Sequence, residues 1–220
     1  MNKRNTKQTI LNEALELFST RGYDGVTVAD IADAVGIKAA SLYKHYKCKQ
    51  DIFDSILMQA ADAYSVFSAQ FGVDGRNHEK DVAHYSEIEL DTLIQTGVST
   101  FLYFLHDETA RKLRRMLTIE QYKNPDVSKL FTRQYINGPL NYQGAIFTAF
   151  MEQGIMKPLD ANVAAAHFYS PIYLMICLCD NCPERESEAL TLIRQHITQF
   201  SELYILGRDN ENHIDSRPEI

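Results

Sequence analysis

A short segment near the N-terminus carries side chains whose types and spacing could do chemistry on a nucleic acid. Ala32 stands four residues before Gly36 and Leu42 six residues after it, which is the spacing of a helix-turn-helix. Two helices that cross closely need a small residue such as Ala32 at the crossing, and the tight turn favours glycine at Gly36. Burial of the apolar residues leaves one set facing outward on the second helix, able to meet a DNA groove: Lys38, Ala39, Ser41, Lys44 and His45.

A second group of reactive side chains, Cys177, Cys179 and Cys182, lies near the C-terminus. Zinc sites of this kind pair such a group with a second cluster of ligands, but the histidines of this sequence are scattered. Cysteine is also among the residues most often buried in protein cores. We therefore expect no metal and no cofactor, while a redox or metal role for the three cysteines stays open as an alternative.

Two other classes of function are weighed against specific DNA binding. An enzyme is disfavoured because the sequence lacks a glycine-rich phosphate loop, a nucleophile elbow and a His-Glu-x-x-His run. A non-specific architectural protein would need a broad basic surface. Residues 1–60 hold eight basic and seven acidic residues, whereas residues 61–220 hold 14 basic and 22 acidic ones. This asymmetry argues against the architectural protein and indicates two parts with different partners.

The spacing of apolar residues predicts helices throughout the chain. Thr27 and Asp30 form a capping-box signature that opens a helix from Val28 to Val35. A third helix is expected from about Ala39 to His45 and a long fourth helix from about Lys49. Further helices are expected at about 83–106, 108–119, 125–153, 161–180 and 186–206, with a polar linker at 72–80 and a break or kink at Gly138-Pro139.

The predicted fold class is all-α, with three domain assignments. Residues 4–62 form a three-helix helix-turn-helix DNA-binding domain, which the long fourth helix joins to a helical domain at 63–207. Residues 208–220 form a polar tail. The polar N-terminus resembles no secretory leader, and the most apolar stretch, 164–179, falls short of the ~20 residues of a bilayer span. We therefore expect a cytoplasmic protein with no membrane partner.

The N-terminal segment resembles the DNA-binding domain of the tetracycline-repressor (TetR/AcrR) family of bacterial regulators. The resemblance covers roughly residues 6–60, and its most specific part is the run Leu-Tyr-x-His-aromatic-x-x-Lys from Leu42 to Lys49. The residues that carry it are Ala14, Leu17, Phe18, Gly22, Tyr23, Thr27, Ile31, Ala32, Gly36, Leu42, Tyr43, His45, Tyr46, Lys49 and Phe53.

The resemblance implies a role for each position of the DNA-facing surface. Thr27 would contact a phosphate at the start of the second helix. The recognition helix would run from Lys38 to His45. The remaining roles follow by position: base-edge or phosphate contacts for Lys38 and Ser41, close backbone approach at Ala39, DNA-backbone contacts for Tyr43 and His45, either kind for Lys44, and a phosphate contact for Lys49. Tyr46 is expected to be a core residue.

Three positions depart from the family pattern. Lys38 stands where the family usually has a capping Ser or Thr, Ala40 stands where glycine is frequent, and Cys48 replaces a common Ser or Asn cap. A lysine cannot cap a helix N-terminus with an acceptor oxygen. The base preference of the recognition helix is therefore not readable from the sequence.

The resemblance also implies what the C-terminal helices do. They would enclose a pocket for a small apolar or aromatic effector, lined by the helices at 83–106, 125–153 and 161–180. The candidate polar contacts are Tyr103, His106, Tyr142, His167 and Tyr169, each of which could instead be an ordinary core or surface residue.

The last helix carries a wide apolar stripe that could pair with its symmetry mate. Its members are Ala189, Leu192, Ile193, His196, Ile197, Phe200, Leu203 and Tyr204. With the helix at 161–180 it would form a four-helix bundle and hold two DNA-binding domains at two half-sites. The sequence thus predicts a ligand-responsive, homodimeric repressor on a palindromic double-stranded DNA operator, with an activator role left open.

Overall fold

The computed structural model describes residues 3–206, with side chains from Thr6 onward. Within these residues every regular element is helical, as predicted. The first helices are α1 (Lys3–Arg21), α2 (Val28–Val35), α3 (Ala39–Leu42), α4 (Lys49–Ala69), α5 (His78–Glu87) and α6 (Leu90–His106). They are followed by α7 (Glu108–Glu120), α8 (Pro125–Thr132), α9 (Gly138–Glu152), α10 (Ala161–Asn181) and α11 (Glu186–Tyr204). The predicted polar tail, 208–220, lies outside the described residues.

Several helices begin where an Asn or Asp side chain accepts the first free backbone N–H groups. Asp107 Oδ1 accepts the Ala110 N–H at 2.8 Å before α7. Asp160 Oδ1 accepts the N–H groups of Asn162 and Val163 at 2.9 and 3.0 Å before α10. Such caps satisfy donors that the helix itself leaves unpaired, so these starts are set by local sequence.

The predicted helix at 83–106 is two helices, and the first begins inside the predicted linker. Asn77 caps α5 by accepting the Glu79 N–H at 3.2 Å, so the helix starts at residue 78 rather than 83. Ile88 then takes an extended conformation, with ψ of 138°, and ends α5 before α6 begins. The polar composition of residues 78–80 favours a linker, but the Asn77 cap starts a helix there.

Gly138-Pro139 does not break the helix that contains it. Residues 133–137 form a π-helical segment in which the Gly138 N–H bonds to Arg133 O, five residues back. A π turn displaces the carbonyls that a proline ring would otherwise meet, so α8 continues into α9. A Cβ on residue 138 would lie 2.7 Å from Arg133 O, which explains the glycine.

The chain packs into two compact units, whose three boundaries fall between α4 and α5, within α6 and within α9. Among the described residues, one unit contains those up to Phe71 together with Thr100–Pro139, and the other contains Gly72–Ser99 together with those from Leu140 to Leu206. The helices α7 and α8 therefore pack with the N-terminal helices. These units group residues by proximity, and the functional boundary after residue 62 stays a prediction.

The first unit is built around α1, on which α2, α4 and α7 pack. The α1 side chains of Ile10, Ala14 and Phe18 are fully buried. The rings of Phe18, Tyr23 and Phe53 lie 5.1 to 6.4 Å apart and close the core beside the turn after α1. This core fixes the positions of α2 and α3 relative to α4.

The second unit has an aromatic core and a buried carboxylate. Phe147 of α9 stacks on Phe200 of α11, with their ring centroids 5.4 Å apart. The Asp81 carboxylate, 1% exposed, accepts the N–H groups of Asp74 and Gly75 at 2.7 and 2.8 Å and the Tyr142 hydroxyl at 2.6 Å. Asp81 thereby holds the loop before α5 against α9.

Among the described residues, the helix α10 meets the length and composition of a membrane span. Its 21 residues have a mean hydropathy of 1.3 in the most apolar window, and 22% of that window is buried. The helix is longer than the apolar stretch at 164–179 because it also includes residues 161–163 and 180–181. It packs along α11, which core helices of soluble proteins do as well.

Candidate nucleic-acid interface

The turn between α2 and α3 has the geometry that a helix-turn-helix needs. Gly36 has φ of 74°, its N–H bonds to Asp33 O at 3.0 Å, and the Ile37 N–H bonds to Ala32 O at 2.9 Å. These two bonds are the Schellman pattern that ends a helix with a left-handed residue, which favours glycine. Ala32 and Leu42 are buried on either side of the turn, at 1% and 0% exposure. The predicted crossing of the two helices is therefore present.

The start of α2 is a complete capping box. The Thr27 hydroxyl accepts the Asp30 N–H at 3.1 Å, and the Asp30 carboxylate accepts the Thr27 N–H at 2.7 Å and the Thr27 hydroxyl. The hydrogen bonds from Thr27, side chain first and backbone second, lower the pKa of Asp30, and nearby Arg21 lowers it further. Thr27 is exposed, but its hydroxyl hydrogen is donated to Asp30, so a phosphate contact from this hydroxyl requires that hydrogen bond to be exchanged.

The predicted recognition helix is shorter than Lys38–His45. Its α-helical part, α3, covers only Ala39–Leu42, and residues 43–45 form turns closed by Lys44 N–H to Ser41 O and His45 N–H to Leu42 O bonds. Lys38 occupies the N-cap position and makes no side-chain cap, as its chemistry requires. The tight ending turns the chain toward α4.

The outward set identified from the sequence lies on the surface around α3. Lys38 and Lys44 are exposed, Tyr43 is 54% exposed, and Ser41 and His45 are half-buried. Ala39 is half-buried and leaves no long side chain between the backbone and an approaching groove. Cationic, hydroxyl and aromatic groups thus share one short segment beside a rigid turn, which suits contact with phosphates and base edges.

A family model describing bacterial regulatory proteins of the tetR family matches residues 10–56, which contain most of α1 and all of α2 and α3. This match assigns residues 10–56 to the tetR family of bacterial regulatory proteins.

Named relatives include IcaR, the negative transcriptional regulator of the biofilm operon icaADBC. The Staphylococcus epidermidis protein is 35% identical over 122 residues, which are 46% of this chain and 66% of that protein. The Staphylococcus aureus protein is 50% identical over 48 residues, which are 22% of this chain and 26% of that protein. The matches therefore span just under two thirds of the first relative and about a quarter of the second.

The fold extends the likeness over nearly the whole chain. A structure of SmeT with triclosan aligns with 98% of this chain and 100% of its own, with a TM-score of 0.64 and 16% identity. SmeT is the repressor of the Stenotrophomonas maltophilia multidrug efflux pump SmeDEF. At this identity the comparison establishes a shared fold for the C-terminal helices.

Lys49, inside the segment that matches the tetR family, has structural contacts that the sequence did not reveal. Its ammonium donates to the carbonyl oxygens of Tyr23 and Val26, both at 2.9 Å, and lies 4.2 Å from the centre of the Tyr23 ring. A lysine has three N–H donors, so one remains for the predicted phosphate. Lys49 therefore clamps the turn between α1 and α2 onto α4.

The residues around Lys49 either lie at the start of α4 or belong to the core of the first unit. Cys48 makes no side-chain cap at the start of α4, and Asp51 instead accepts the Lys47 N–H at 2.9 Å. Tyr46 is 2% exposed, as expected for a core residue, and its hydroxyl donates to Lys7 O at 3.3 Å. Burial, with the nearby Asp51 charge, raises the pKa of Tyr46 to about 12.

The five predicted effector contacts are distributed over both units. Tyr103 and His106 lie in the first unit, whereas Tyr142, His167 and Tyr169 lie in the second. The Tyr142 hydroxyl is bound to Asp81, and the His167 Nδ1 lies 3.1 Å from the Tyr204 hydroxyl. Burial and the neighbouring Tyr85 and Asp81 raise the pKa of Tyr142. These two polar groups therefore already have partners within the second unit.

Tyr103 belongs to an aromatic cluster that the sequence pattern did not single out. Its ring stacks on Phe67 with centroids 4.4 Å apart, and Tyr64 lies 5.3 Å from Phe104 and 5.8 Å from Tyr103. All four rings are partly exposed, although each touches another ring. The four residues come from the second half of α4 and the end of α6, and only their contact in space reveals them as a group.

A groove of about 530 Å³ lies between α5 and α9 in the second unit. Its apolar lining includes Val82, Ala145 and Ala149, and Glu79 and Glu152 add two carboxylates. None of the five predicted effector contacts lines it.

The predicted dimer stripe of α11 divides into two faces. Ala189, Ile193, Ile197 and Phe200 are buried within the second unit. Leu192 and Leu203 remain 43% and 59% exposed, and Val163 and Leu174 of α10 are 50% and 61% exposed. Each exposed pair is separated by 11 residues, which is close to three helical turns, so its members lie on one face of their helix.

The cysteine group shows no metal-site geometry in the part of the chain that the structure describes. Cys177, Cys179 and Cys182 form no disulfide, and no group of three or more His, Cys, Asp or Glu residues is placed to hold an ion there. Cys179 is 2% exposed, and burial, followed by the charges of Glu186 and Asp180, raises the pKa of its thiol. A raised thiol pKa lowers the fraction of reactive thiolate.

Lys49→Ala should lower the free energy of unfolding by about 1–3 kcal/mol, because it removes two hydrogen bonds from a charged donor to backbone carbonyls. Urea denaturation followed by circular dichroism measures the change. Lys47→Ala removes the same charge from an exposed neighbour and should change stability by less than about 0.5 kcal/mol. Equal stability of the two variants would contradict the clamp assigned to Lys49.

Proposed function

We propose that this tetR-family protein is a sequence-specific repressor that binds a palindromic operator as a homodimer in the cytoplasm and is released by a small effector. The observation that carries the proposal is the rigid turn at Gly36, which presents Lys38, Ser41 and Lys44 on one short surface segment. The role of the IcaR relatives, negative regulation of transcription, supports repression rather than activation.

The proposed DNA contacts fall into two classes. Lys44, Lys49, Thr27, Tyr43 and His45 contact the DNA backbone, which contributes affinity without sequence information. Lys38 and Ser41 reach base edges beside Ala39, where the short residue lets α3 approach the groove. Because Lys49 also clamps the turn after α1, its DNA contact uses only the remaining donor of its ammonium.

Binding to an operator and to scrambled duplex over a range of salt separates these two classes. Lys44→Ala should weaken binding to both duplexes about equally. It should also reduce the slope of log affinity against log salt concentration by ~0.9 for each phosphate that the lysine no longer neutralises, or by about twice that in a dimer. Ser41→Ala should cost ~1–3 kcal/mol on the operator and much less on scrambled DNA. Lys123→Ala, which removes an exposed lysine beyond α7, is the charge-matched control and should leave the affinity for both duplexes unchanged.

The opposite result would refute the proposed docking. If Lys44→Ala changed sequence preference without changing the salt slope, α3 would meet DNA by another surface. Wild-type protein that bound operator and scrambled duplex with the same affinity would exclude a sequence-specific repressor altogether.

The exposed leucines of α10 and α11 support the proposed homodimer. Leu174, Leu192 and Leu203 are large apolar side chains with 43–61% of their surface exposed. Residues of this type at helical spacing on adjacent helices form the four-helix interfaces of two-fold dimers. A dimer also supplies the two recognition segments that a palindrome requires.

Sedimentation at micromolar concentration should give twice the chain mass of 25.1 kDa. Leu174→Glu should shift the protein toward the monomer, because a charge would be buried in the interface without a partner. Met58→Glu places the same charge on another exposed apolar residue, 67% exposed on α4, and should leave the dimer intact. A wild-type monomer, or a dimer indifferent to Leu174→Glu, would refute this interface.

The aromatic cluster of Tyr64, Phe67, Tyr103 and Phe104 supports a small apolar or aromatic effector. Partly exposed rings retain apolar surface that a planar ligand can cover, and stacking adds to the gain from burial. The SmeT structure with triclosan, an apolar aromatic compound, is a precedent on this fold. A coupling of ~1–3 kcal/mol between effector and DNA would change operator affinity about 5–150-fold.

A thermal-shift screen of lipophilic aromatic compounds should find ligands that raise the melting temperature and weaken operator binding. Tyr103→Ala should reduce the thermal shift of such a ligand, whereas Tyr122→Ala, which removes a ring that is 87% exposed, should not. A ligand that stabilises both variants equally would show that the cluster is not its site. That result would leave the DNA-binding proposal untouched.

A further inference from the structure

A buried carboxylate meets the backbone at the turn between α1 and α2. Glu120, the last residue of α7, is 1% exposed, and its Oε2 has no hydrogen-bond partner among the described residues. A Cβ placed on Gly22 would overlap Glu120 Oε1 and would lie 2.8 Å from its Cδ. The carboxylate therefore occupies the space that any other residue at position 22 would need.

The same turn is also held by α4. Lys49 donates to the carbonyls of Tyr23 and Val26, and the Tyr23 hydroxyl donates to Gln50 Oε1 at 2.9 Å. Thr27, the cap of α2, follows Val26 directly. A displacement of this turn is therefore passed to the start of the helix-turn-helix within a few residues.

The contact between α7 and α1 is anchored at a second point. Lys112 Nζ lies 2.6 Å from Glu16 Oε2 of α1 and 2.6 Å from Glu108 Oε1. Glu16 lies in α1 and precedes Gly22, the residue after that helix, and Lys112 likewise precedes Glu120 in α7. The two helices therefore run side by side in the same direction over this stretch. The ion pair fixes one end of the stretch and Glu120 meets the turn at the other.

We propose that Glu120 is a positioning residue for DNA binding, which sets the α1–α2 turn, and with it the start of α2, through a steric contact that only glycine at position 22 permits. The inference rests on the proposed DNA-binding function. It adds a residue that lies outside the DNA-binding surface of the protein but sets the position of that surface. The shape of the carboxyl group produces the effect, and its charge is not required.

The test compares glycines that share a backbone conformation but differ in surroundings. Gly22 has φ of 79° against Glu120, whereas Gly154 has φ of 70° and no atom within 4 Å of where its Cβ would lie. Gly22→Ala and Gly154→Ala therefore introduce the same backbone strain, and only the first introduces the overlap. The probe is the duplex that the wild-type protein selects from a randomised library, with binding measured by fluorescence anisotropy.

Gly22→Ala should lower operator affinity roughly tenfold or more, an effect the size of a mismatched base pair, while Gly154→Ala leaves affinity unchanged. The double variant Gly22→Ala with Glu120→Ala should bind more tightly than Gly22→Ala, because the overlap is gone, but only as tightly as Glu120→Ala, because the positioning carboxyl is gone as well. Gly22→Ala with Glu120→Gln should not recover affinity, because glutamine has the shape of glutamate. Failure of the first rescue, or success of the second, would overturn the inference.

The single Glu120 variants keep the test decisive if Gly22→Ala does not fold. Glu120→Gln should bind the operator as the wild type does, whereas Glu120→Ala should lose affinity without a lower melting temperature. A merely structural role would change the melting temperature and the affinity together. Wild-type affinity in a folded Glu120→Ala variant overturns the inference, whereas a wild-type protein that selects no duplex refutes the proposed function itself.

Discussion

Burial of the apolar face of α1 is the constraint on which the DNA-facing part of the molecule depends. The helices α2 and α3 have eight and four residues, too few to be stable in water by themselves. They persist because α1 supplies the surface on which α2 and α4 pack, with Ile10, Ala14 and Phe18 fully buried, and α3 packs in turn on α2. A recognition surface of a few exposed side chains is thus held rigid by a core that lies behind it.

The same constraint explains why charged groups near the DNA surface also have structural partners. Lys49 could extend fully into solvent, but the carbonyls of Tyr23 and Val26 and the face of the Tyr23 ring hold its ammonium back. Charge-assisted bonds of this kind are stronger than neutral ones, and they fix the loop that leads into Thr27. A structural role and the proposed DNA-binding role are therefore combined in one side chain.

Packing rather than function sets the boundaries between the two units. The helices α7 and α8 pack with the N-terminal helices, while α5 joins α9 through the Asp81 carboxylate and the Tyr142 hydroxyl. A buried carboxylate is stable only when its oxygens are well bonded, and Asp81 has two backbone donors and a phenol. Glu120 is the contrasting case, because one of its oxygens is buried without such a partner among the described residues.

The sequence by itself determined the features whose partners are close along the chain. The Thr27–Asp30 capping box, the left-handed Gly36 turn, and the spacing of Ala32 and Leu42 follow from bonds and contacts between near neighbours. The helical class and most helix positions followed for the same reason. The early end of α3 and the start of α5 at residue 78 were missed, because competing caps and turn bonds of similar strength decide such boundaries.

Only the tertiary structure decided which side chains have distant partners. Lys49 donates to carbonyls that are 23 and 26 residues away in the sequence. Tyr142 donates to Asp81, from which it is separated by 61 positions. The apolar stripe of α11 looked uniform in the sequence, yet packing buries Ile193 and Ile197 and leaves Leu192 and Leu203 exposed. Periodicity states that a helix has an apolar face, but which residues of that face are covered depends on neighbours that other parts of the chain supply.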